Sequence, residues 1–188
     1  MLICRSLTRF PFRNRFEPTL RVYKWAERIN SVEKGNEEVV MISAIFHDVG
    51  KSINGDTNHA EESAKICRDY LLDQGFDLDF VERVTNVIRV HSSKEMPAED
   101  LSLEERILID ADTLDETGAL TVLWDSVDTG AKKEQSYLIV YNRVAEALEH
   151  KKGDLKRLKT DEGRRLYHER NEFLESCIRN LEYELGMQ

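Results

Sequence analysis

Apolar positions recur along this chain at the three-to-four-residue spacing of helices, and nowhere do they alternate for long with period two. The stretch TLRVYKWAERINSVEKG, from Thr19, sets Leu20, Tyr23, Ala26 and Ile29 on one stripe with Val22 and Trp25 beside it, and Gly35 marks its stop. NEEVVMISAIFHDVG begins at Asn36, a side chain suited to capping, followed by acids that favour a helix N-terminus. Seven of the eight residues from Val39 to Phe46 are apolar, so this helix is predicted to be central. NHAEESAKICRDYLLDQG is amphipathic through Ala60, Ala64, Cys67 and Leu71, and stops at Gly75. DLDFVERVTNVIRVHSS places Phe80, Val84, Val87, Ile88 and His91 on one side. LSLEERILIDADTLDETGALTVLWDSV reads as a second strongly buried helix, the fifth in order. EQSYLIVYNRVAEALEHKKG and TDEGRRLYHERNEFLESCIRNLEYELG complete a set of six to seven helices.

All three prolines precede Ala98, and no repeat, low-complexity tract or Pro/Ser-rich linker divides the chain. The expected architecture is all-α: a single helical domain over 17–188, long enough to enclose a sizeable core, behind a basic arm over 1–16. That arm, MLICRSLTRFPFRNRF, carries Arg5, Arg9, Arg13 and Arg15 and no acid. It lacks apolar periodicity and Pro11 interrupts it, so it is read as a loosely docked segment, not a targeting signal. The formal net charge of -9 argues against a general binder of nucleic acid or anionic membrane. The longest apolar run, VVMISAIF, is too short to span a bilayer. Cys4, Cys67 and Cys177 are odd in number and far apart, as expected for free thiols in a reducing, cytoplasmic setting.

The chemistry begins where the apolar run of the second helix ends, on His47 and Asp48, with Gly50 and Lys51 just beyond. A lone buried carboxylate costs several kcal/mol or neutralises unless opposite charge meets it, and a metal ion is the obvious partner. Neighbouring side chains on a helix diverge by about 100°, so further ligands must come from other helices. His59 opens the third helix, His91 ends the fourth, and Asp110, Asp112 and Asp115 lie on the fifth, with Asp112 expected to be the most deeply framed. His47, Asp48, His59, His91 and Asp112 can thus converge from four helices. Mixed imidazole and carboxylate ligands suit manganese, iron, nickel or zinc, and admit magnesium. Taken singly, each histidine is more often a cap or a packed polar group. His150 and His168, and the pairs Glu61–Glu62 and Glu104–Glu105, read as solvated faces. It is the conjunction of histidines at helix ends with buried carboxylates that stands out.

AIFHDVGK resembles the His-Asp motif of the HD-domain metal-dependent phosphohydrolases, and LIDADTLDETGAL resembles their downstream aspartate segment. NHAEESA and VIRVHSS are similar to the intervening histidine segments, and LKTDEGRRLYHERNEFLESCIRNLEYEL to the C-terminal helix of small bacterial and archaeal members. The similarity runs from about Glu17 to Gly186. The resemblance implies a helical fold, one or two divalent metals, and hydrolysis of a phosphate ester or anhydride, often of a nucleotide. By position it makes His47, Asp48 and Asp112 metal ligands, and gives His59 and His91 to a second metal or to the substrate phosphate. Lys51 would join them on the phosphoryl oxygens, while Asp115 or Glu61 would carry the proton from an attacking water acidified by the metal. The family's first metal histidine opens the first core helix; here the words are EPTLRV, and Pro18 stands in its place. Thr113 likewise stands where the family writes Arg. The rival expectation, favoured by Pro18, is a catalytically impaired module that binds metal or nucleotide in a regulatory role.

Overall fold

The computed structural model describes residues 16–54, 57–115, 117–132 and 135–187. Within them the chain is all-helical with no strand, as the apolar spacing predicts: eight α-helices, one four-residue helical turn and two three-residue 3-10 turns. In chain order these are α1 (Phe16–Glu33), α2 (Glu37–Phe46), the turn α3 (Lys51–Asn54), α4 (His59–Asp73), α5 (Leu78–Val90), α6 (Leu103–Asp115), α7 (Ala119–Gly130), α8 (Tyr137–Asp154) and α9 (Asp161–Glu184). No helix among the described residues is long and apolar enough to cross a membrane. The basic arm, apart from Phe16, lies outside the described residues.

The chain forms two compact units. The first holds the described residues up to Asp115 together with Leu158–Gly163. At its centre α2 packs against α1, α4, α5 and α6, as its nearly continuous apolar surface requires. Val39, Val40 and Ala44 of α2 are buried with Val22, Ala26 and Ile29 of α1, Ala64 and Cys67 of α4, Val84 and Ile88 of α5, and Ile107, Leu108 and Ala111 of α6. The second unit holds the described residues of Glu116–Arg157 and Arg164–Gln188. Its core is Val144 and Leu148 of α8 with Leu174 and Ile178 of α9, and Val122 of α7 packs against them.

Local signals act as expected at Asn36 and Gly75, and Ser136 adds a cap that was not singled out. Asn36 accepts from Val39 N and caps α2, and Ser136 accepts from Ile139 N and caps α8. Gly75 takes a φ of 82° after α4, a conformation that Gly adopts without Cβ strain.

Other expectations are corrected. The inward stripe of α1 is Thr19, Val22, Ala26, Ile29 and Asn30, while Leu20 is 43% exposed. The small Thr19 and Ala26 suit a helix that packs against both α2 and α6. Beyond α1 the left-handed residue is Lys34, at φ 66°, not Gly35. Gly35 serves instead for close packing, since a Cβ there would sit 3.1 Å from both Asn30 Oδ1 and Ile107 Cδ1. On α5, Val81 is buried where Phe80 was expected; Phe80 stacks on Phe76 with ring centroids 5.4 Å apart. The single fifth helix is broken: α6 ends at Asp115 and α7 starts after Gly118, whose φ of 77° a continuing helix cannot accept.

Among the aspartates of α6, Asp110 and not Asp112 is the deepest, with no exposed surface. Its Oδ1 accepts the Lys159 N–H at 2.7 Å, and its Oδ2 accepts the N–H and hydroxyl of Thr160 at 2.7 and 2.6 Å. A carboxylate at this place, just ahead of α9, satisfies backbone donors that would otherwise be stranded. Gly163 is required by the same contact, because a Cβ there would overlap Asp110 Oδ2. Asp110→Ala should therefore destabilise the protein by about 3 kcal/mol, the cost of stranding buried donors on a charged acceptor. Chemical denaturation of the two proteins measures it.

Candidate metal centre

α2 ends at Phe46, so His47 and Asp48 lie in the turn that follows, not in the helix's final turn as expected. His47 is the C-cap, and its Nδ1 lies 2.8 Å from the Ala44 carbonyl oxygen. His91 caps α5 in the same way, with Nδ1 2.6 Å from Ile88 O. A carbonyl can only accept, so each Nδ1 carries a proton and donates it, and each Nε2 is turned inward. Burial is the main influence on His47 and lowers its pKa, outweighing the nearby charges of Asp48 and Asp112. At neutral pH its ring is uncharged, which is the state a metal requires.

The loop then turns back on α4 at Gly50. Its N–H donates to Ser63 Oγ at 2.9 Å. A Cβ on Gly50 would overlap the His59 carbonyl oxygen and lie 2.7 Å from Ser63 N. Only glycine permits this approach, which places the first residue of α4, His59, beside Asp48.

Asp48 is the meeting point. His59 Nε2 and His91 Nε2 lie 3.5 and 3.6 Å from its Oδ1, and 3.2 Å from each other. His47 Nε2 lies 3.6 Å from its Oδ2 and 3.8 Å from Asp112 Oδ1. Lys51 Nζ donates to Asp48 Oδ2 at 2.7 Å, and Lys94 Nζ lies 2.8 Å from Asp112 Oδ2. Burial raises the Asp48 pKa, but His91, His47 and Lys51 together hold it well below the usual carboxylate range. Asp112 behaves alike: burial opposes its charge, and Lys94 with the two imidazoles keeps it ionised.

One observation tests whether these residues fit a metal. Asp48 Oδ1 is buried and has no hydrogen-bond partner. An anionic oxygen left in that condition is costly, and two imidazole nitrogens share its space. Asp48, His59 and His91 offer ligand atoms that all lie within 4.8 Å of one another. Donor chemistry and spacing both suit a divalent ion, so the residues fit. His47 borders the opposite oxygen of the same carboxylate, and Asp112 borders His47 in turn.

Not every residue singled out in the sequence joins this cluster. Asp115 is held through both oxygens by Arg21, at 2.6 and 3.0 Å. Glu61 pairs with Arg89 at 3.1 Å, and its side chain is 44% exposed. Thr113 turns its hydroxyl back to Ile109 O at 2.8 Å. Pro18 sits in the first turn of α1, where proline is well tolerated. Sequence reasoning missed Lys94 and Ser63. Lys94 lies in a turn where no periodicity marks it; Ser63 was detectable only as a small polar residue inside the apolar stripe of α4.

A helical fold with this His-Asp turn and these flanking histidines defines a class. Residues 15–117, more than half of the chain, match the HD domain, and the chain belongs to that family. A predicted HD-superfamily hydrolase from an uncultured Thermotogales bacterium is similar in structure, with 25% identity, a TM-score of 0.70, and coverage of 97% of this chain and 87% of that one. An HD-superfamily hydrolase from Bacillus thuringiensis is similar in fold at 21% identity and a TM-score of 0.69, covering 92% of this chain and 87% of that one. Bacillus subtilis YpgQ gives 25% identity and a TM-score of 0.65, over 90% of this chain and 87% of its own. YpgQ has also been solved in complex with ADP. No curated protein matches the chain significantly.

The geometry at Gly50 carries its own prediction. Gly50→Ala should destabilise the fold by about 1–3 kcal/mol, the usual range for forcing an extra methyl into a packed site. Thermal unfolding followed by circular dichroism measures the loss, and an unchanged melting temperature would contradict the close approach.

Proposed function

We propose that this protein hydrolyses a phosphate ester or anhydride of a nucleotide or another small phosphorylated metabolite, using a divalent metal ion at the Asp48 centre. The observation that carries the reading is the buried, unpartnered Oδ1 of Asp48 between the Nε2 atoms of His59 and His91. Asp48, His59 and His91 would hold one ion, and His47, Asp48 and Asp112 border the place for a second or for an exchange of ligands. A bound divalent ion supplies Lewis acidity, which acidifies a water and offsets charge on phosphoryl oxygens.

The chain's own groups do the rest. Lys51, placed on Asp48 by the HDVGK turn, reaches the phosphoryl oxygens. The protonated Nδ1 atoms of His47 and His91 keep the inner nitrogens aimed at the centre. Of the two carboxylates considered for proton transfer, Glu61 is the more exposed and has the freer path to solvent, whereas Arg21 fixes both oxygens of Asp115. Neither joins the cluster: proton transfer by Glu61 would run through an intervening water, and Asp115 serves to anchor Arg21. The formal net charge of -9 argues against nucleic acid or anionic membranes as partners. The ADP complex of YpgQ supports a nucleotide in particular. The free thiols Cys67 and Cys177 support a cytoplasmic setting.

A second reading is favoured by Pro18, which offers no ligand from the first turn of α1. In that reading the protein is a regulatory module that binds metal or nucleotide without turnover.

Two experiments separate these. Loaded with Mn²⁺ and offered nucleotides and phosphomonoesters, the wild-type protein should release phosphate, and Asp48→Ala should lose both the metal and the activity. Equal, negligible metal in the two proteins after loading with Mn²⁺, Fe²⁺, Ni²⁺ or Zn²⁺ would overturn the metal centre. Pro18→His should fold, because the first helical turn does not require proline, and should raise metal affinity by more than about 10-fold if the new imidazole joins the centre. Tighter metal with no turnover of any phosphorylated compound favours the regulatory module.

A further inference from the structure

Two ammonium groups stand against the two carboxylates of the centre: Lys51 on Asp48 Oδ2 at 2.7 Å and Lys94 on Asp112 Oδ2 at 2.8 Å. Lys51 belongs to the HDVGK turn and is held there by its own backbone. Lys94 reaches Asp112 from a different segment, and a separate set of contacts fixes it. Its carbonyl oxygen accepts from Lys159 Nζ at 2.8 Å. Lys159 is buried, 7% exposed, and its backbone N–H donates to Asp110 Oδ1. Asp110 and Asp112 lie two residues apart on α6 and point to different sides of it, so the contacts Asp112–Lys94–Lys159–Asp110 start and end on one helix.

These fixed charges cancel before any cation arrives. A divalent ion added to two carboxylates and two ammonium groups leaves two positive charges in excess. In a partly buried site such an excess is expensive. An anion with two or more charges removes it, and a lysine released from its carboxylate is free to contact that anion.

We propose that Lys94 is a counter-cation that makes metal and phosphate binding interdependent. It balances Asp112 while the centre lacks both, and it moves its contact to a phosphate group of two or more negative charges that enters with the metal. Lys159 is the positioning residue that sets Lys94 against Asp112. The substrate class that follows is a phosphomonoester, or a nucleotide with a terminal phosphate; a singly charged phosphodiester leaves the excess uncompensated. This inference rests on the metal centre proposed above.

The test uses the full chain and two titrations: Mn²⁺ without phosphate, and inorganic phosphate at saturating Mn²⁺, both by calorimetry. Lys94→Met should bind Mn²⁺ about 10-fold tighter and phosphate about 10-fold weaker, the scale of changes next to a metal's ligands. Lys94→Arg should return both affinities toward wild type. Lys159→Met should shift both in the same senses by a smaller factor. A disturbed fold would weaken both ligands, so the opposite signs separate the proposal from a structural role. Unchanged affinities in Lys94→Met, or a joint weakening, overturn the proposal and leave the metal centre standing. Absence of Mn²⁺ binding in wild type and every variant overturns both.

Discussion

A carboxylate oxygen buried from water must be met by something positive or by donors, and Asp48, through its Oδ1, sets that requirement for the centre. Its Oδ1 faces His59 and His91, and its Oδ2 faces Lys51 and His47. Those four side chains come from the α2–α3 turn, the start of α4 and the end of α5. Bringing them together forces the chain to fold back within two residues of Asp48, and Gly50 is what makes that possible. The apolar core of α2 supplies the rigidity. Each fully buried Val, Leu or Ile contributes about 1.5–3 kcal/mol, and that packing offsets the desolvation of one carboxylate.

The same local device appears twice. α2 and α5 both end in a histidine whose Nδ1 meets the carbonyl three residues earlier. A helix C-terminus has unsatisfied carbonyls, so it both receives the ring proton and fixes which nitrogen is left as a lone pair. Two imidazoles are thereby presented in one tautomer by the ends of two helices, with no further residue needed to orient them. The third, His59, is fixed from the other direction, as the opening residue of α4. Lysines complete the arrangement: with the imidazoles, Lys51 helps to hold Asp48, and Lys94 helps to hold Asp112, below the usual carboxylate range.

Much of this was legible in the sequence. The 3.6-residue spacing gives the helices, and the stripe Ala60, Ala64, Cys67, Leu71 is buried as read. His47, Asp48, His59, His91 and Asp112 are brought together from the segments that carry them. What the pattern could not show depends on three-dimensional approach. Leu20 and Phe80 have the hydrophobicity of core residues, but their neighbours Thr19 and Val81 fit the packed interface. The break after Asp115 rests on one backbone angle, at Gly118. Asp110 and Asp112 look alike in LIDADTLD; only the return of residues 158–163 makes the first a structural anchor. Lys94 has no sequence signal because it lies in a turn, where its carbonyl meets Lys159 of the same distant segment.

The central claim is that Asp48, His59 and His91 hold a divalent ion. Crystals soaked in Mn²⁺ and recorded for anomalous scattering test it without reference to any activity. A peak is expected within coordination distance of Asp48 Oδ1 and the Nε2 atoms of His59 and His91. A fully soaked crystal with no peak there, or with manganese bound only elsewhere on the surface, would contradict it.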